Sequence, residues 1–326
     1  MDLLVAWEWK FDAEFIKIFE SMAVGAGLNC LFINPATLNE ASEKIQKEKI
    51  VFKALLDRAS DVDASFDFLI DRIILSGSKT FNDASNAFRA MDKATMHLEF
   101  LTKGLDVPYT IILSPKDDVN SIKEKDLKQL GRPFIIKPSR GGGGIGVVVG
   151  AETLVDIMNA RKVFSEDKYL LQEKVVPAIL EGRRAYFRVF YACGKVISCW
   201  WDDHTHIFFV LTKEEESKHD LSRLKDITKT IAEISRLDFF STEICVTDNK
   251  RFVVVDYVND PCDMRPKSIY VDGVPDEVVR EIISELIVQV KKTPREQLTP
   301  AKKEILTRRR DFELALLRRY RVGAQV

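Results

Sequence analysis

Residues 133–150 read PFIIKPSRGGGGIGVVVG. A short apolar run, Phe134, Ile135 and Ile136, delivers a lysine, Lys137, and a proline closes it. Gly141, Gly142, Gly143 and Gly144 follow in unbroken succession, with Gly146 beyond them and a β-branched run at 147–149. Apolar run, glycine turn and apolar run predict a β-hairpin whose loop carries almost no side chains. With no Cβ in the way, the N–H groups of such a loop can lie against phosphate oxygens. Lys137 and Arg140 place positive charge beside them. The spacing is not that of the Walker A loop, which needs Lys-Ser/Thr after its last glycine and a helix behind it. Nor is it the dinucleotide fingerprint, which also opens a helix. A ligand-free surface turn is the plainer alternative, but each glycine costs roughly 0.5–1 kcal/mol, and a turn does not need so many.

A second group falls on a hairpin expected over 241–258, with its turn at Asp248-Asn249. Glu243, Asp256 and Asn259 put acid and amide groups at the ends of apolar strands, where they cost free energy unless something cationic offsets them. Such oxygen donors suit Mg²⁺, with Mn²⁺ as a substitute. Arg188 sits among apolar residues in YFRVFYAC at 186–193, facing either water or a site. The loop DPCDMRPKS at 260–268 gathers Asp260, Asp263, Arg265 and Lys267. Arg265 there could clamp a substrate carboxylate; a salt-bridged loop is the alternative. His204 and His206, behind Asp202 and Asp203, are further substrate-side candidates, as general bases or as plain turn residues. Trp7 and Trp9 stand near the end of the first strand, where parallel sheets collect ligands, though core packing is the commoner use of tryptophan. No Ser-His-Asp or Cys-His pattern supplies a nucleophile, and no cysteine pair lies at zinc spacing.

These residues need elements to position them. Leu3–Trp7 reads as a strand, and 12–26 as a helix whose apolar residues recur at helical spacing before a glycine stop. Residues 29–33 read as a strand, Leu38–Lys47 as a helix, and 49–55 and 66–75 as further strands, giving a small βαβ layer that walls one side of a cleft. Residues 86–104 read as one helix carrying Asp92 and Lys93, a pair expected to be solvated in a first turn. Beyond the glycine hairpin come a helix at 152–161, a strand at 169–176, a hairpin at 186–201, an amphipathic helix at 221–237 and another helix at 274–290. Residues 291–321 hold eleven Lys and Arg against four acidic residues and read as one basic amphipathic helix. Without interleaved aromatics it is expected to pack with a solvated basic face rather than to bind nucleic acid. The 326 residues, 46% hydrophobic and 30% charged, have room for two or three globular domains. A net charge of −1 gives no global pull toward nucleic acid or membrane. With no leader-like start and no apolar run of about 18 residues, a cytoplasmic chain without a membrane span is expected. Its five scattered cysteines are expected as reduced thiols, mostly buried.

In order, Asp92-Lys93 ahead of GLDVPYT, PFIIKPSRGGGGIGVVV at 133–149, LLQEKV at 170–175, FRVF at 187–190 before a GKV turn, and STEI at 241–244 paired with VVVDYVNDP at 253–261 resemble the ATP-grasp superfamily. Within it the chain most resembles carboxylate–amine ligases of the ribosomal-protein glutamate ligase kind, with D-alanine–D-alanine ligases more distant. The resemblance implies an α/β (α+β) fold in which two α+β subdomains, 89–175 and 176–290, grip ATP. A small Rossmann-like domain at 1–88 would precede them, and the basic helix at 291–326 would follow. It implies ATP and Mg²⁺ as cofactors, Lys137 on the α- and β-phosphates with Lys93 nearby, and the loop of Gly141 to Gly146 closing over the triphosphate. Gln172, Glu173, Lys174 and Val175 would form the adenine hinge, and Glu181 would lie near the ribose. Arg188 would hold the γ-phosphate, making it and Lys137 the catalytic pair. Glu243, Asp256 and Asn259 would hold the metal, and Arg265, Lys267 and His204 would face substrate. The implied reaction joins a small-molecule or peptide carboxylate to an amine, or to a thiol, through an acyl phosphate. A small-molecule kinase and a nucleotide-binding protein without turnover are the alternatives. The family usually carries Glu-x-Asn on its last strand, whereas Tyr257 stands two before Asn259 here. A β-bulge at Tyr257-Val258 is expected to let Asp256 and Asn259 face one ion, with Asp260 as the other option.

Overall fold

The computed structural model describes residues 1–115, 117–119 and 122–294, and near the chain's end residues 304, 306, 307 and 310. The basic helix expected at 291–326 lies outside the described residues except for these few.

The chain opens with β1 (Leu3–Trp7), a 3-10 turn (Lys10–Asp12), α1 (Ala13–Gly25), β2 (Cys30–Ile33), α2 (Leu38–Lys47), β3 (Ala54–Arg58), α3 (Asp67–Leu75) and β4 (Lys79–Phe81). The four strands form a parallel sheet in the order β2-β1-β3-β4. β1 lies inside it, and its Leu3, Leu4, Val5 and Ala6 are fully buried, as a strand covered on both faces requires. Two expectations fail here. The strand expected at 49–55 begins only at Ala54 and runs to Arg58. The strand expected at 66–75 is the helix α3, led in by a 3-10 turn at Ala64–Phe66. Its buried Phe66, Leu69, Ile70 and Ile73 recur at threes and fours, a helical period that outweighs β-branching.

Next come α4 (Ala84–Ala90) and α5 (Lys93–Thr102), two helices where one was expected. Asp92 separates them by adopting extended backbone and accepting from the Thr95 N–H as the N-cap of α5. A four-stranded antiparallel sheet follows, ordered β5-β8-β6-β7. It comprises β5 (Thr110–Leu113), α6 (Glu124–Leu130), β6 (Phe134–Pro138), β7 (Val148–Ala151), α7 (Leu154–Ala160) and β8 (Tyr169–Gln172). β6 and β7 are the two arms of the glycine hairpin.

The last sheet is antiparallel, ordered β13-β12-β11-β14-β15. After a small hairpin of β9 (Ile179–Leu180) and β10 (Arg183–Arg184) come β11 (Tyr186–Ala192), β12 (Lys195–Trp201), β13 (Phe208–Val210), α8 (Lys213–Lys218), α9 (Arg223–Ser235), β14 (Phe239–Val246), β15 (Phe252–Asn259) and α10 (Asp276–Lys292). α5 and α9 pack on one face of this sheet, sharing a core with Phe187, Val189, Phe240 and Val254. α10 packs on the other and buries Val279, Ile282, Ile283 and Leu286 against Phe15 and Phe19 of α1 and Phe190 of β11. The parallel sheet and the last sheet therefore share one core. All five cysteines are free. No described helix is long and apolar enough to cross a membrane.

Candidate active site

Lys137 ends the apolar part of β6, and its ammonium donates to the Val255 carbonyl of β15 at 2.9 Å. The hairpin arm is thus pinned to the edge strand of the last sheet. Burial pulls the Lys137 pKa down, and the charges of Asp256 and Glu243 work against that pull. Lys93, in the first turn of α5, donates to the Gly141 carbonyl at 2.6 Å. Its charge also helps stabilise the Asp256 carboxylate.

Arg188 and Glu243 are register partners on β11 and β14, and their side chains form an ion pair. The Arg188 Nε also donates to Ser241 Oγ at 3.1 Å, and the Tyr186 hydroxyl donates to Glu243 at 3.1 Å. Burial pushes the Glu243 pKa up and Asp256 adds to it, against the pull of Arg188 and Lys137. Asp256 goes the other way: burial would raise it, but Lys93, Lys137, Arg188 and the Asn259 amide outweigh burial and hold it down.

The pairing of β14 with β15 explains how Asp256 and Asn259 meet. Ser241 is opposite Asn259, Glu243 opposite Asp256 and Ile244 opposite Val254. β15 therefore carries an extra residue at 257–258, where the bulge was expected, and a second at Val255. The Asn259 amide helps hold the Asp256 carboxyl down, and its Nδ2 donates to the Ser241 carbonyl at 3.4 Å. Tyr257 turns into the core, 2% exposed, with its hydroxyl 2.6 Å from His97 Nδ1 and accepting from Gln172 Nε2 at 2.9 Å. Asp260 lies in the neighbourhood of Asn82, Arg58, Asp61 and Asp57 rather than in this group; burial pushes its pKa up to about 7. Among the described residues no three His, Cys, Asp or Glu side chains form a metal-binding group. The donor set is instead two carboxylates and an amide, hard oxygens that fit Mg²⁺.

The glycine loop is tied to this group through Lys93, which bonds the Gly141 carbonyl. A Cβ on Gly146 would meet Phe164 at 2.9 Å, and the residue has a φ of +74°, so packing and backbone both demand glycine there. Gly142 has neither constraint: a Cβ would meet nothing within 4 Å. The loop's stem is fastened by Asp92, which is buried rather than solvated as expected. Asp92 accepts from the Ser139 hydroxyl at 2.6 Å and pairs with Lys168. Arg140 donates its backbone N–H to Asp167 at 2.8 Å and lies over the Phe88 ring at 4.2 Å.

Of the four hinge residues, Gln172 spends its amide on Tyr257 and Thr110 Oγ1, at 2.9 and 3.1 Å. Glu173 is paired with the Tyr109 backbone on both sides. Among the described residues the backbone N–H groups of Lys174 and Val175 meet no acceptor, and Val175 packs on Val253 and Val255. Glu181 lies on the exposed turn between β9 and β10, ion-paired with Lys218 and 3.3 Å from His219, and is not brought to the charged group. The clamp reading of Arg265 meets the salt-bridged alternative: its guanidinium is held by Asp263 at 2.8 Å and Asp272 at 2.9 Å. Lys267 donates to the Phe208 carbonyl, and His204 is exposed beside Asp203 at 3.7 Å.

Sequence reasoning missed Tyr186, Trp201, Ser139 and Lys168. Tyr186 is two residues before Arg188 on a strand, a same-face signal that was open to use. Ser139 and Lys168 reach Asp92 across 47 and 76 residues, and nothing local marks them.

No family model matches the chain. It is 28% identical over 166 residues to D-alanine–D-alanine ligase A of Bacillus cereus and to D-alanine–D-alanine ligase of Bacillus anthracis. These matches cover 47% of this chain and 52% and 51% of those proteins, so the chain spans about half the length of the curated relatives it matches. Among solved structures, the ATP complex of the Bacillus anthracis D-alanine–D-alanine ligase superposes with a TM-score of 0.60 at 15% identity, covering 90% of this chain and 98% of that one. The ATP-grasp ligase PsnB with its precursor peptide and AMPPNP gives 0.61 at 14%, covering 89% and 98%. A RimK-domain ATP-grasp protein from Sphaerobacter thermophilus gives 0.57 at 15%, covering 88% and 99%. The chain therefore shares the fold of these ATP-grasp structures.

Proposed function

We propose that the chain is an ATP-dependent ligase that joins a carboxylate to an amine through an acyl phosphate. One observation carries this reading: three cations, Lys93, Lys137 and Arg188, converge on Asp256, two of them also on Glu243, and Lys93 holds the first carbonyl of the glycine loop as well. The similarity of the chain to D-alanine–D-alanine ligases over half its length supports it. A transferring phosphoryl group carries spread negative charge, and fixed cations stabilise it without forming a bond to it.

The roles follow from position. The division at 1–88, 89–175 and 176–290 puts the nucleotide between the two antiparallel sheets. Lys137 and Lys93 neutralise the inner phosphates, and the loop of Gly141, Gly142, Gly143, Gly144 and Gly146 lays its amides along the triphosphate. The unpaired amides at Lys174 and Val175 receive the base. Glu243, Asp256 and Asn259 would hold Mg²⁺, which would supply charge neutralisation at the phosphates. Arg188 steadies the γ-phosphoryl group. A substrate carboxylate oxygen attacks the γ-phosphorus as the bond to the β-phosphate oxygen breaks and ADP departs. The amine nitrogen then bonds the acyl carbon, inorganic phosphate leaves with its oxygen, and the surplus proton passes to solvent.

The test is a matrix of acids and amines with ATP and Mg²⁺, read as ADP and phosphate release, beside calorimetry of a non-hydrolysable ATP analogue. Release that needs both an acid and an amine, and that stops on chelation of the metal, is expected. Lys137→Met should lower it by about 100- to 1,000-fold, the usual cost of removing one preorganised charge-stabilising group. Nucleotide binding with ADP formed on a polyol alone would point to a kinase. Binding with no release in any mixture would leave a nucleotide-binding protein without turnover.

A further inference from the structure

Arg188, Glu243 and Asp256 form one row across the last sheet. Glu243 of β14 is opposite Arg188 of β11 on one side and Asp256 of β15 on the other, so the three side chains share a face. Both oxygens of Glu243 are engaged by the chain itself. Oε1 accepts from the Arg188 guanidinium, and Oε2 accepts from the Tyr186 hydroxyl at 3.1 Å. The guanidinium is held on two further sides, by Ser241 Oγ at 3.1 Å and by the Trp201 ring, whose centre is 5.5 Å away. Tyr186 and Trp201 are in ring contact with each other, also at 5.5 Å. The remaining Arg188 nitrogen, Nη2, meets no acceptor among the described residues.

A divalent cation held by Glu243 and Asp256 needs the oxygen that the guanidinium occupies. It would also set a double positive charge beside a single one. Their repulsion is strong here, because the Arg188 and Glu243 side chains are only 14% and 11% exposed and water screens them little. The phenol differs: it is uncharged, so it can keep Oε2 while an ion takes Oε1. A hydrogen bond that persists through such a change fixes the direction of the carboxylate. We propose that Arg188 and the metal ion exchange on Glu243. The ion displaces the guanidinium, which stays seated on Trp201 and Ser241 and turns its freed nitrogens to the γ-phosphoryl group, while Tyr186 holds the carboxylate in place. The arginine's charge then reaches the phosphoryl group only after the metal has arrived, and nucleotide without metal meets an arginine already engaged. This rests on the ligase reading above and deepens it by giving that site an order of events.

The test uses the full chain and reads binding, not turnover. Mn²⁺ alone is titrated at pH 8 by calorimetry and paramagnetic resonance. A non-hydrolysable ATP analogue is titrated with the ion and, separately, in EDTA. Arg188→Met removes the competitor and should tighten Mn²⁺ about tenfold. Glu243→Gln should weaken Mn²⁺ and tighten the metal-free nucleotide about tenfold, because the guanidinium is released without an ion. Both gains should vanish in the double variant, which separates exchange on one carboxylate from a mere change in local charge. Tyr186→Phe should act opposite to Arg188→Met, weakening Mn²⁺ about three- to tenfold, the worth of one hydrogen bond to a charged group, with the metal-free nucleotide unchanged. Thermal melts monitor folding. Should Arg188→Met melt early, Glu243→Gln and Tyr186→Phe decide alone, since both are close in shape to the native residues. Mn²⁺ affinity unchanged or lowered in a folded Arg188→Met, or metal-free nucleotide binding unaltered by Glu243→Gln, would overturn the proposal. Either result is compatible with intact binding of the Mg²⁺–nucleotide complex by the wild type, so the ligase reading would survive it. No heat from the nucleotide under any condition would instead remove that reading, and this inference with it.

Discussion

Tyr257 and His97 illustrate how one position can serve the core in place of the site. The phenol sits where the ATP-grasp resemblance leads one to look for an acid, yet its oxygen is shared with His97 and Gln172 in the interior. Burial takes the His97 pKa from its ordinary 6.5 down to about 4. The native ring therefore stays neutral in a range where the unfolded chain's ring is already protonated. Stability is complete above the unfolded value and should fall by up to about 1.4 kcal/mol per pH unit as pH drops from near 6.5 toward 4. Urea unfolding across that range should show the slope in the wild-type chain and a flatter profile in His97→Gln; equal profiles would mean that His97 is protonated in the fold. At this scale the sequence was legible where chemistry is local: Lys137, Arg188, Glu243, Asp256 and Asn259 were all named, and the structure brings them together. It was illegible where a partner lies far along the chain, as with Asp92, whose burial depends on Ser139 and Lys168.

The glycine hairpin shows what an element contributes beyond its residues. Strand, loop and strand were readable because β-branched runs flank the glycines and the antiparallel pairing needs nothing remote. The bulge in β15 was readable for a different reason: period two and a required common face for Asp256 and Asn259 conflict unless a residue is added. α3 was misread because Ile70 and Ile73, like Phe66 just before the helix, are β-formers by type and helical only by spacing. Within the hairpin two glycines do different jobs, and substitution should separate them. Gly146→Ala meets Phe164 and an unfavourable φ, and should destabilise the fold by about 1–3 kcal/mol. Gly142→Ala meets nothing and should leave unfolding unchanged within about 0.5 kcal/mol. If the loop's bareness serves a nucleotide, Gly142→Ala should nevertheless weaken binding of an ATP analogue in calorimetry. Unaltered affinity there would show that the loop amides take no part.

Across the whole molecule the parallel sheet and the last sheet share one core, and a buried ion pair of the first reaches the loop after β15. The Arg58 guanidinium donates twice to Asp12 at 2.8 Å and once to the Cys262 carbonyl at 3.1 Å, a reach of 204 residues. Arg58 and Asp12 are 5% and 1% exposed, and one Arg58 nitrogen, Nη1, is buried without a hydrogen-bond partner among the described residues. No sequence pattern announces such a tie, since its ends lie 204 residues apart. Its position gives it a consequence for the site, because Cys262 lies three residues beyond Asn259. Arg58→Met would leave the Asp12 carboxylate buried and uncompensated, and should cost about 3–5 kcal/mol. Adding Asp12→Asn removes that orphaned charge and should recover much of the stability, since the native pair is itself imperfectly satisfied. The double variant still lacks the anchor on the Cys262 carbonyl, so the strand end carrying Asn259 is held less firmly. Denaturant unfolding should then show near-recovery while calorimetry shows weaker binding of an Mg²⁺–ATP analogue than in the wild type. Restored stability together with wild-type nucleotide affinity would mean that the two sheets are joined for folding alone, with Arg58 holding nothing in the site.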